Sequence, residues 1–141
     1  VSCLIVGDGP DKNHLESMSR NKKTIFIGRI SSKKVTSYIS KSKILVLPSI
    51  HGEGIPNVVV EAMSTGTPVV ATDCGGTSDI VKNNETGFII ESRSSEKISD
   101  SVKKLLTNAE MWENFSQNCL QNVKKYSWDI ISNEFESKIK D

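Results

Sequence analysis

Between Pro48 and Glu61 the chain reads PSIHGEGIPNVVVE, a stretch whose residue types suit the capture of an anion. Two carboxylates, Glu53 and Glu61, are separated by seven residues, and Gly52 and Gly54 flank the first. The apolar run before Pro48 reads as a strand, so the glycine-containing loop stands at a strand's carboxyl end, where ligands bind in parallel α/β sheets. From Pro56 the loop feeds a helix, whose first N–H groups and dipole favour negative charge. Gly54 is expected to let the backbone approach a diphosphate closely, with the amides of Asn57 and Val58 as donors to it and Ile55 and Pro56 among the substrate-binding positions. His51 precedes Glu53 by two positions and faces the same cleft on this reading, although a lone histidine equally suits a structural role.

These residues need a scaffold, and the hydrophobic pattern supplies one. Short runs rich in Val, Ile and Leu at 3–6, 24–27, 44–47, 68–71 and 88–90 predict five strands, each followed by Gly, Pro, Asp or Ser. Continuous apolar runs of this length suit strands buried on both faces. Between them, 12–19, 33–40, 56–64 and 78–82 read as crossover helices, which makes the chain α/β with a parallel sheet covered on both faces. The third helix conflicts with local propensity, because Val58, Val59 and Val60 favour a strand. Pro56 at the first helical position and the helix formers Glu61, Ala62 and Met63 argue for the helix. Beyond Ile90, spacings of three and four place Ile98, Val102 and Leu105, then Met111, Phe115 and Cys119, then Ile131, Phe135 and Ile139 on three amphipathic helices, over 95–106, 110–124 and 128–139.

Composition narrows the function classes. A chain of 141 residues, 36% hydrophobic and 25% charged, can bury a core without disulfides. Lys and Arg number 18 against 17 for Asp and Glu, so the net charge of +1 points away from nucleic acid as a partner. Cys3, Cys74 and Cys119 are widely spaced and lack metal-ligand spacing, and they read as free thiols of a reducing, cytoplasmic compartment. There is no DxD pair and no His and carboxylate cluster, so neither a metal nor another cofactor is expected. No apolar run approaches the ~20 residues of a membrane span. Gly7 and Gly9 form a tight turn or a phosphate contact, but without a third glycine they are no dinucleotide fingerprint.

The blocks LIVGDGP, IFIGRI, the Glu53 to Glu61 pair, and EAMSTGTPVVATDCGGTSDIV followed by NNETGFII occur in that order over nearly the whole chain. Together they resemble the donor-binding, C-terminal half of the retaining GT-B glycosyltransferases that carry an E-x7-E motif, family 4 or group 1. The resemblance implies a Rossmann-like domain over 1–141 that lacks the first βα unit and the acceptor-binding N-terminal domain. It also implies transfer of a sugar from a nucleotide-sugar donor to a sugar or lipid-linked acceptor with retention, and peripheral membrane contact by the whole protein. By resemblance, Glu53 is the catalytic residue that contacts the transferred sugar, and Glu61 binds the ribose. The chemistry is compatible, since a carboxylate accepts two hydrogen bonds from a vicinal diol. Gly28, Arg29 and Ile30 resemble the segment whose backbone reads the nucleobase, with Arg29 stacking on the base, meeting a phosphate or merely facing solvent.

Three features keep other readings open. Ser78 and Asp79 stand where the family favours Pro and Glu, which leaves the sugar unassigned. The family's GR....KG block, which supplies an Arg and a Lys to the diphosphate, maps upstream of Val1. A chain opening directly on an apolar strand is expected to be part of a longer protein. The alternatives are a non-catalytic nucleotide-sugar-binding or regulatory module and a nucleotide-sugar epimerase of GT-B architecture.

Overall fold

A computed structural model describes residues 1–19, 23–52, 54–127, 130 and 132. The chain forms two compact units, Val1–Tyr38 and Ile39–Asp141. In the first, β1 (Cys3–Val6) leads through α1 (Lys12–Met18) to β2 (Thr24–Gly28), followed by α2 (Ser32–Ile39), whose last residue belongs with the second unit. β1 and β2 are parallel, with Cys3 opposite Thr24 and Ile5 opposite Phe26, and the register shifts after Ile5 so that Val6 faces Gly28.

The second unit contains β3 (Leu45–Leu47), α3 (Asn57–Ser64), β4 (Val69–Thr72), α4 (Thr77–Ile80), β5 (Gly87–Ile90), α5 (Ser95–Thr107) and α6 (Ala109–Asn122). A 3-10 turn over Val123–Tyr126 follows α6. Here β4 lies between β3 and β5, all parallel, with Val70 aligned to Val46 on one side and Phe88 on the other. All four residues of β4 are buried, as a strand paired on both edges and covered by helices requires. Val70, Phe88, Ile90, Leu105 and Phe115 form the central cluster, in which the rings of Phe88 and Phe115 meet tilted at 5.4 Å between centroids. Gly87 admits close strand packing, because a Cβ there would collide with the Val69 carbonyl.

The five expected strands are present within a residue or two of their expected ends, and among the described residues they pair as two parallel sheets. The valine-rich segment is helical. Val59, Ala62 and Met63 lie on one buried face of α3, and this burial offsets the modest helix penalty of the branched residues. Pro56 stands one position earlier than expected, as the N-cap, with φ −75° and an extended ψ of 111°. The shift is small because the ring constrains only φ, and the Pro56 carbonyl still accepts from the Val59 N–H at 2.9 Å. At the other end Gly66, with φ +70°, donates to Met63 O while Thr67 N–H donates to Ala62 O. These paired bonds close the helix with a left-handed glycine.

α4 lies one residue earlier than expected at its start and two at its end. α6 gives way to the 3-10 turn before Lys124, where the expected helix continued. The helix expected over 128–139 lies outside the described residues except for Ile130 and Ser132. Tyr126, the aromatic that leads into that segment, reaches back to α4, donating its O–H to Asp79 O at 3.1 Å.

Cys119 is fully buried on α6 and its thiol donates to Thr86 O at 3.2 Å, while Cys3 is exposed. Burial pushes the Cys119 thiol up to about 12, so the folded state holds its proton where the unfolded chain, near 8.5, has lost it. Its stabilising contribution is therefore complete below about pH 8.5 and is lost as pH rises toward the folded value. Cys119→Ala should cost on the order of 1 kcal/mol at neutral pH, and denaturant titrations at rising pH should show that deficit shrinking above about 8.5.

Candidate functional site

The carboxyl ends of β3 and β4 carry adjoining loops, and hydroxyl and backbone contacts fix one to the other. Thr72, the last residue of β4, directs its hydroxyl to Ser49 O at 2.5 Å and Leu47 O at 3.3 Å, which anchors the chain leaving β3. Three residues on, Gly52 lies against the turn after β4. A Cβ on Gly52 would come within 2.5 Å of Gly75 N and 2.7 Å of its Cα. Gly75 itself has φ +58°, a conformation that suits glycine. The Thr77 hydroxyl closes that turn by donating to Cys74 O at 2.8 Å. Gly76 continues the contact, since a Cβ there would meet Ile55 Cγ1 at 3.3 Å and the Gly54 carbonyl at 3.4 Å.

Gly54 has a different environment: a Cβ on it would meet no described atom within 4 Å. The outer side of the loop thus leaves room for a ligand at the position expected to admit one. Glu53, between the two glycines, lies outside the described residues. His51, Gly54, Ile55 and Asn57 are exposed, and Pro56 and Val58 are half-buried. The helix begins at Asn57, so the N–H groups of Asn57 and Val58 have no acceptor within the helix. Glu61 is four residues on, half-buried on the same face as Asn57, and helical side chains lean toward the N-terminus, here toward the loop. The main chain of Glu61 is tied by the Ser64 hydroxyl, which donates to its carbonyl at 2.7 Å.

Gly28, Arg29 and Ile30 follow β2 in the first unit, where Gly28 is buried, Arg29 exposed and Ile30 half-buried. Gly28 has φ +77° and its carbonyl accepts from Gly7 N–H at 2.9 Å, so the GDGP turn after β1 is fastened to the end of β2. Gly7 and Gly9 form that turn, with Gly7 at φ +141°. The structure thus groups His51 with the 54–58 segment and Glu61 in the second unit, and groups Gly28, Arg29 and Ile30 with Gly7 and Gly9 in the first. Among the described residues no three metal-ligating side chains cluster, and no helix is long and apolar enough to cross a membrane.

Sequence reasoning missed Thr72 and the seat that Gly75 provides for Gly52. Both end on main-chain atoms, and the signals available were a polar residue closing an otherwise apolar strand and the Gly75–Gly76 pair, which reads as a close turn beside the sugar site.

Residues 1–121 match the family model described as glycosyl transferases group 1. The chain belongs to that family. It is 30% identical over 143 aligned positions to the capsular polysaccharide biosynthesis glycosyltransferase CapM of Staphylococcus aureus, covering 97% of the chain and 37% of CapM. Among solved structures, the C-terminal domain of the group 1 glycosyl transferase LpcC from Francisella tularensis shares 27% identity. It superposes with a TM-score of 0.79 over 90% of the chain and 70% of that domain. S. aureus TarM, solved with UDP among its ligands, shares 26% identity and a TM-score of 0.81, over 97% of the chain and 28% of TarM. The chain therefore spans little more than a third of CapM's length. These neighbours and the parallel sheets flanked by helices establish a Rossmann-like α/β fold.

Gly52→Ala tests the loop seat. The added methyl has no room against the Gly75 backbone and must lift the loop, so affinity for a nucleotide-sugar should fall while the circular dichroism spectrum stays close to that of the parent. Calorimetric titration of both proteins checks this; equal affinities would show that the seat does not govern binding.

Proposed function

We propose that the chain is the donor-binding half of a retaining GT-B glycosyltransferase of the E-x7-E group, family 4, which moves a sugar from a nucleotide-sugar to an acceptor hydroxyl. The observation that carries this reading is the start of α3. An open glycine, Gly54, and the first amides of a helix, which have no acceptor within that helix, adjoin Glu61 at the carboxyl end of a parallel strand. Such an arrangement can hold a diphosphate by main-chain N–H groups and a ribose diol by a carboxylate. CapM's assignment to glycosyl transfer and the UDP in TarM support it.

In this reading Glu61 binds the ribose, Glu53 contacts the transferred sugar as the catalytic residue, and Gly28 to Ile30 read the nucleobase. His51, Ile55 and Pro56 shape the loop, and the Asn57 and Val58 amides receive the diphosphate. The protein's contribution is to position the donor and stabilise the departing diphosphate, with no metal and no other cofactor required. A sugar or lipid-linked acceptor is held by a further domain of a longer cytoplasmic protein that contacts the membrane peripherally. Retention by the whole enzyme would show as an α-linked product from an α-linked donor in NMR.

Glu61→Ala should weaken nucleoside diphosphate binding roughly 5- to 150-fold, the loss of a charge-assisted contact of about 1 to 3 kcal/mol. Equal calorimetric affinities for parent and variant would remove the ribose role. Glu53→Gln should weaken the nucleotide-sugar and leave the bare nucleoside diphosphate nearly unaffected. A parallel loss of both ligands in the same titration would make Glu53 a phosphate or folding residue.

A further inference from the structure

The GDGP turn presents a lysine whose position the reading above does not use. The Lys12 N–H donates to Gly9 O at 3.2 Å, which sets the start of α1 directly after the turn. The Lys12 side chain then reaches the end of β2, where its Nζ lies 3.6 Å from the point a Cβ on Gly28 would occupy. The ammonium thus stands in van der Waals range of the Gly28 position, immediately before Arg29. Among the described residues Lys12 pairs with one carboxylate oxygen, Asp8 Oδ1, at 3.8 Å, too far to use up a hydrogen-bond donor. Lys12 therefore keeps donors to offer.

The surroundings select the kind of acceptor. Lys12 lines a cavity of about 210 Å³ with Ile5, Leu15 and Phe26, an apolar wall suited to a flat heterocycle. Asp8 and Asp11 line it too, and two carboxylates oppose a diphosphate at this place. A neutral ring that offers an acceptor to the ammonium satisfies both conditions. Uracil and guanine offer carbonyl oxygens, stronger acceptors than the ring nitrogens that are adenine's only ones, and adenine carries an amino group where guanine carries O6; lysine can only donate. Resting on the nucleotide-sugar reading, we propose that Lys12 is a specificity-determining residue that donates to a carbonyl oxygen of the nucleobase and favours a uracil or guanine nucleotide over an adenine one.

Titration calorimetry of the chain with UDP, GDP and ADP tests this in the parent, Lys12→Met and Lys12→Arg. The parent should bind UDP or GDP more tightly than ADP. Lys12→Met should weaken the preferred nucleotide about tenfold or more, leave ADP nearly unchanged and so erase the preference. Lys12→Arg, which keeps the donors, should retain it. An unaltered preference in Lys12→Met, or an equal loss for all three nucleotides, overturns the base assignment while leaving the donor-domain reading in place. A parent that binds none of the three overturns both.

Discussion

The contact between the loop after β3 and the turn after β4 is the constraint on which the candidate site depends. A buried strand fixes where Thr72 stands, and the Thr72 hydroxyl in turn fixes the carbonyls of Leu47 and Ser49. From that anchor the chain has only a few residues in which to reach α3, and Gly52 meets the Gly75 backbone on the way. Burial of Val59, Ala62 and Met63 locates the other end of the path. The loop is thus held at both ends by core packing and in the middle by backbone proximity, which fixes the approach to the first amides of α3 without a rigid loop sequence.

The same arrangement explains why much of the fold was legible from sequence. The central strand Val69–Thr72 is short and apolar up to its closing threonine because it is covered on both sides, whereas Val6, Ile25 and Val46 on the other strands are exposed although their runs are just as apolar. The helices on the outside announce themselves by spacings of three and four, as Ile98, Val102 and Leu105 do on α5. Element ends were less legible. Whether Pro56 caps α3 or opens it depends on one ψ angle, and the ring does not constrain that angle. The change from α6 to a 3-10 turn at Val123 alters which carbonyl each N–H selects, a choice that composition does not encode.

The candidate site was legible in part. Glycines beside a carboxylate at a strand end drew attention to 52–61, and Gly54, Asn57 and Val58 have the openness and helix position that reading requires. Glu53 itself lies outside the described residues. The supporting contacts escaped notice because they end on main-chain atoms, which residue types do not reveal. Gly52 looks like any flexible loop glycine until the Gly75 backbone is found against it. Lys12 looks like an ordinary surface cation until its reach to Gly28 is measured.

The attachment of the 48–56 loop has an evolutionary side. Thr72 grips carbonyl oxygens, and Gly52 meets a peptide unit, so neither contact inspects the side chains at Ile50 or His51. Both of those side chains are exposed. Substitutions there can accumulate without disturbing how the loop is mounted, whereas Thr72, Gly52 and Gly75 are fixed by geometry. A lineage built on this framework could drift in the chemistry its loop displays while the mounting that displays it stays unchanged.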